Sequence, residues 1–227
     1  MGRPESEPAP PASHWERRSA EHVVGGARDR LLARSRQFVE KATEVVARDG
    51  VDGLTLRTIL HETGLSRRAF YERFASKDDL LVAVFEETMQ SAAARFRAEF
   101  EEHGLDDPFD RLRFIVRGMI EGAERQRTES GGGLSPAMSR EHLRLAESRP
   151  DELRQAVAPT TNLMADQIAA AMESGQARRA DPQELAVLVH SLVSSTIHSA
   201  LFGEAEEYET ERTVRVVWEF CRRALTA

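Results

Sequence analysis

Between Leu54 and Phe74 two short apolar-periodic segments, LTLRTILHET and LSRRAFYERF, flank a single glycine, Gly64. That arrangement leaves few folds open. Leu56, Ile59 and Leu60 recur at helical spacing, and Phe70 and Phe74 sit four apart on one face. Neither segment is long enough to hold as a helix alone, so each must bury its apolar face on a third element. Thr55 and Ser66 stand where a side-chain oxygen can accept from free backbone N–H groups. Gly64 permits the tight turn between them. The spacing therefore predicts two short helices joined at a sharp angle.

The same periodicity extends in both directions. A preceding helix is expected from about Arg34 to Arg48 on Phe38, Val39, Ala42, Val45 and Val46, ended by Gly50 in a left-handed conformation. The third helix is expected over Arg67 to Phe74. Ser76 and Asp79 resemble a capping box that opens a long fourth helix at Lys77, continuing to His103-Gly104. Asp107-Pro108 and Asp181-Pro182-Gln183-Glu184 mark further starts. Gly131 to Pro136 (GGGLSP) should break the chain, and Pro159 should kink or split a helix over Asp151 to Ser174. The last two helices are expected to Gly203 and from about Thr210 to Leu225. No strand pattern or internal repeat survives, so the fold class is all-α.

Charge divides the chain. Residues 28–77 carry eleven Lys/Arg and seven Asp/Glu, a net of +4, inside a chain whose net charge is -7. A positive segment on an acidic body fits a small nucleic-acid reader joined to something else. The single cysteine, Cys221, excludes an internal disulfide and a cysteine-based zinc site. No apolar run reaches the roughly 20 residues of a membrane helix, and no signal pattern opens the chain. A cytoplasmic protein is expected. Residues 1–33 are expected to be a disordered arm, in which Arg28 and Arg30, with Arg34 and Arg36 just beyond, could reach a minor groove. The general composition favours a solvated tail.

A helix-turn-helix sets its second helix in the major groove and reads bases near that helix's N-terminus. Arg67 and Arg68 can offer bidentate forks to guanine. Ala69 is small enough to approach a base edge. Tyr71 and Arg73 suit phosphate oxygens, Arg57 suits the backbone or a flanking base, and Lys77 lies at a helix start that already favours phosphate. Thr55 and Ser66 complete the expected DNA-binding set.

The stretch LTLRTILHETGLSRRAFYERFASKDDLL resembles the DNA-binding domain of the TetR (tetracycline-repressor-like) family of transcriptional regulators. Thr55, Arg57, Gly64, Ser66, Phe70, Tyr71, Phe74, Lys77 and Leu80 meet its pattern, over roughly residues 34–81. Leu60 stands where the family commonly has alanine, and Arg67-Arg68 replace the small residue that commonly follows the serine. The pair points to a G-containing operator or to a phosphate clamp. The resemblance implies a three-helix head over residues 34–80, a helical effector-binding and dimerisation body over 81–227, and a dimer formed by the last two helices. His61 reads as solvated.

For that interface the expected residues are Leu188, Leu192 and Thr196 on one helix and Val214, Val217, Trp218, Cys221 and Leu225 on the other; internal core is the competing reading. Phe96, Phe100, Met119, Met138, His142, Leu163, Met164 and Ile168 are candidates for an apolar effector pocket, with core packing an equal alternative for each. His190 and His198 share a helix face, but neither acid nor cysteine completes a metal site. No cofactor, metal or catalytic residue is expected. The expected function is a homodimeric repressor that holds a palindrome-like double-stranded DNA operator and is released by a small, largely apolar effector. A regulator controlled by a protein partner is the first alternative, and a helical enzyme the second.

Overall fold

The computed structural model describes residues 14–128, 136–202 and 209–226. These form nine helices: α1 (His14–Gly53), α2 (Leu56–Thr63), α3 (Arg67–Tyr71), α4 (Lys77–Glu102), α5 (Pro108–Thr128), α6 (Pro136–Ser148), α7 (Pro150–Glu173), α8 (Pro182–Phe202) and α9 (Thr210–Thr226). No strand occurs among the described residues, and the architecture is all-helical.

α1 starts at His14, twenty residues before the expected helix and inside the stretch read as a disordered arm. The prolines behind that reading all precede position 12, and Ala, Arg and Glu, good helix formers, dominate afterwards. Residues 1–13 lie outside the described residues. Gly50 takes φ 71 and ψ 178, a positive φ with an extended ψ rather than the left-handed helical conformation expected, and it breaks α1 there. The chain turns so that Val51 and Leu54 enter the head core.

Caps set the next three helices. Thr55 accepts from the Thr58 N–H at 3.1 Å, and Gly64 closes α2 at φ 65, ψ 12. Ser66 accepts from the Ala69 N–H at 3.2 Å and starts α3. α3 ends at Tyr71, three residues early, because Glu72 already caps it; the Phe74 N–H still bonds the Phe70 carbonyl at 3.0 Å. The capping box is present: Ser76 Oγ accepts from the Asp79 N–H at 3.2 Å and Asp79 Oδ2 from the Ser76 N–H at 3.1 Å.

Two apolar cores result. In the head, Phe38, Phe70 and Phe74 make a triangle with centroids 5.5 to 6.0 Å apart. Ile59, Leu80, Leu81, Val84 and Phe85 surround it, and Leu145, Leu153 and Ala156 enter it from α6 and α7. In the body, α7 runs unbroken through Pro159, against the expected kink or split. Ala156, Thr160, Leu163 and Met164, buried on both sides of the proline, hold that segment in place. α4, α5, α7, α8 and α9 share the second core. It contains Phe96, Phe100, Leu163, Met164 and Ile168, together with Val214, Val217, Trp218, Cys221 and Leu225. Among the described residues no helix is long and apolar enough to cross a membrane.

Candidate nucleic-acid interface and histidine-lined cavity

α3 is fixed from beneath and open above. Phe70 is buried in the aromatic triangle, so the helix cannot roll, while Ser66, Arg67, Arg68 and Tyr71 are exposed on it. Tyr71 packs edge-on against Phe70 at 5.3 Å, which holds the ring while leaving it 53% exposed. Arg67 has no ion-pair partner among the described residues, and the same holds for Arg57 and Lys77, both exposed at the starts of α2 and α4. The Arg68 side chain is 90% exposed and meets Glu72 at 3.0 Å. Water screens such an exposed pair, so an incoming anion can displace Glu72 at little cost.

Two expected contacts are placed elsewhere. Ala69 is buried, because the helix turn that aims Arg67 and Arg68 outward aims its methyl group at the core. The Arg73 side chain is only 5% exposed; it folds back to donate to the Ala69 carbonyl, and its Nε is buried without a partner. Arg73 thus supports α3 from behind instead of facing outward. Thr55, engaged with Thr58 at 2.8 Å, remains exposed.

Between α6, α7 and α8 lies a cavity of about 660 Å³, with a smaller one of about 70 Å³ on its inner side. His142, His190 and His198 line both. The His142 and His198 rings are 5.1 Å apart, and His142 Nδ1 is buried with no hydrogen-bond partner. Burial pushes His142 and His190 down to about 4; His198 opposes the charge on His142, and His142 that on His190. Burial also lowers His198. Of the expected pocket residues, Met119 and His142 line this space. Phe96, Phe100, Leu163, Met164 and Ile168 do not, being packed in the body core; Met138 lies outside the described side chains. The α8 residues Ser191, Ser194 and Ser195 face the cavity and were missed as a lining. The signal was there: a polar stripe between His190 and His198 on an otherwise apolar helix. Among the described residues no group of three His, Cys, Asp or Glu could hold a metal ion.

The interface set also changes. Val214, Val217, Trp218, Cys221 and Leu225 are buried within the chain, and burial pushes the Cys221 thiol up to about 11. The opposite face of α9 exposes Val216 (57%) and Phe220 (64%), and α8 exposes Leu188 (65%). Leu192, Thr196, Val216 and Phe220 border an open groove of about 560 Å³.

Residues 38–84 match the model of "Bacterial regulatory proteins, tetR family". Its head is a tetR-family segment. Two curated relatives are similar over part of the chain, the HTH-type transcriptional repressors AcnR of Corynebacterium efficiens and Corynebacterium glutamicum. Each is 31% identical, over 97 and 99 residues, or 43% and 44% of this chain. The chain spans about half the length of these relatives, 46% and 47%. The helical fold is matched along most of its length by solved structures of low identity. RolR bound to resorcinol aligns with TM-score 0.66 at 17% identity, over 87% of this chain and 90% of that one. A TetR-family regulator from Pectobacterium atrosepticum gives 0.64 at 23%, over 88% and 97%. FadR of Bacillus subtilis, in complex with stearoyl-CoA, gives 0.62 at 16%, over 84% and 98%. These three likenesses concern the fold.

Proposed function

We propose that this chain is a homodimeric transcriptional repressor that binds a palindrome-like DNA operator and leaves it when a small, largely apolar effector fills the α6–α7–α8 cavity. One observation carries the reading. Arg67 stands exposed, with no ion-pair partner among the described residues, at the start of a helix whose aromatic root is locked in the head core. A fixed backbone beneath a free guanidinium is what bidentate guanine recognition requires. Arg57, Arg68, Tyr71 and Lys77 supply phosphate or flanking contacts around it. The repressor names of the curated relatives support the same reading, and the ligand-bound RolR and FadR structures support effector control.

The effector acts through α6. His142 on this helix lines the cavity, and Leu145, one turn on, is buried in the head core. Displacing α6 therefore displaces the packing under the start of α4. Two heads joined through the exposed α8–α9 face must sit about 34 Å apart to read paired half-sites. A tilt of α4 disturbs that spacing. We read the body as a binding module, and the repressor names of the curated relatives support that reading.

The test is selection of bound genomic fragments, followed by titration with wild-type protein and Arg67→Ala. Loss of about 1–3 kcal/mol on the selected fragment, with little change on random duplex, is expected. A wild-type protein with no preference for any genomic fragment over random duplex at moderate salt refutes the proposal.

A further inference from the structure

The cavity carries a chemical specification, and the ligand class inferred from it rests on the reading of this space as the effector site. Its walls are mainly apolar, with Leu143, Leu153, Val157 and Val187 in the outer part and Phe85 and Met119 in the inner part. A permanent cation has nothing to pair with, because no carboxylate lines either part among the described residues. A phosphate has no buried cation; the lone lining arginine, Arg154, has a side chain 72% exposed and is already paired with Asp151 at 2.8 Å. The other polar groups of the lining are imidazoles, hydroxyls and two uncharged amides, Gln155 and Gln183, the latter already donating to Asn162 Oδ1 at 3.2 Å. Three imidazoles on α6 and α8 converge there, and the His142 Nδ1 atom lacks any partner. Burial holds these rings in the neutral form, so each offers one donor and one acceptor and no charge.

We propose that the cavity takes an uncharged, largely apolar hydroxy compound of the phenol type, whose hydroxyl completes the hydrogen bonding that His142 lacks. A hydroxyl both donates and accepts, as a neutral imidazole does, so it fits either tautomer. The apolar ring is held by the aliphatic walls. A charged group in the same place forfeits its hydration with no opposite charge to replace it.

Three probes of one shape test this on the full chain at neutral pH: 2-naphthol, naphthalene and 2-naphthoate, with binding followed by calorimetry. 2-Naphthol is expected to bind at least about tenfold more tightly than either of the others. In His142→Phe that advantage over naphthalene collapses, while naphthalene itself is held as before. If His142→Phe does not fold, His198→Leu serves for the same comparison. Naphthalene or 2-naphthoate binding as tightly as 2-naphthol overturns the proposal. So does a 2-naphthol preference untouched by the histidine substitutions, or no 2-naphthol binding at millimolar concentration. Val187→Trp, which fills the mouth, separates the two readings. If it leaves 2-naphthol binding unchanged, the cavity is not the site and the effector reading falls as well. If it abolishes binding that never discriminated the hydroxyl, only the ligand class is wrong.

Discussion

Arg144 grips Asp78 with both arms of its guanidinium: Nη1 donates to Oδ2 at 2.9 Å and Nη2 to Oδ1 at 2.8 Å. The pair joins α6 to the second residue of α4, across 66 positions of sequence. Arg149 repeats the device one residue along, donating to Asp79 and to Ser76 Oγ, the two partners of the α4 capping box. The cavity-lining helix is thus tied to the helix that leads out of the head.

A double-mutant cycle on Arg144→Met and Asp78→Asn, read by urea unfolding, should give a coupling below about 1 kcal/mol, since both side chains are about a third exposed or more. Arg149→Met should cost more, because Asp79 loses its cation while holding a helix cap. Equal small effects at both arginines would show that the cap stands without Arg149.

The outer face of α9 should govern association. Val216→Asp with Phe220→Asp is expected to give a folded monomer by light scattering, with the unfolding midpoint of the isolated subunit nearly unchanged. Trp218→Ala, one residue from Val217 on the buried face, should instead cost about 3–5 kcal/mol. A dimer that survives both aspartates places the interface elsewhere.

Acid should weaken the fold in a defined window. His142 and His190 sit near 4 in the native chain and at 6.5 when unfolded. Between those values the unfolded chain binds protons that the native chain does not, so stability is full above pH 6.5, falls towards pH 4, and then levels for these groups. Asp78, held down by Arg144, and Asp107, held down by Gln176, act lower: their contribution is complete above 3.8 and lost only below it. The melting temperature should drop by several degrees across pH 6.5 to 4. His190→Leu should flatten that slope; a slope of equal size in the variant assigns it to other groups.

Two glycines of α5 should respond oppositely to alanine. At Gly118 a methyl group would meet Phe96 Cε1 at 2.5 Å, and that ring is buried and wedged against Phe114. The overpacking should cost about 1–3 kcal/mol despite the better helix propensity. At Gly122 nothing lies within 4 Å, and alanine should stabilise by up to about 1 kcal/mol. Denaturant melts of both variants decide it.

What was legible in the sequence was local. Thr55, Gly64, Ser66 and the Ser76–Asp79 box act within four residues of themselves, so their spacing announces the head. Ala69 shows the limit: a two-residue shift around a five-residue helix separates an exposed side chain from a buried one. α9 shows another. Val214, Val217, Trp218, Cys221 and Leu225 follow one apolar stripe, Val216 and Phe220 another, and periodicity does not say which stripe meets the chain's own core. The cavity needed α6 and α8 brought together; His190 and His198 were visible as a pair, but His142 joins them from 48 positions away. The arginine ties to α4 have no signature in either partner's neighbourhood.

Leu145, Leu153 and Ala156 have their own consequence. They share one buried apolar cluster with the aromatic triangle, though they belong to helices far downstream. A fragment cut after residue 80 would lack these three buried aliphatic members of the cluster. The reading head is therefore no detachable module. Its apolar cluster is complete only once α7 has been made, so in a growing chain the head settles late.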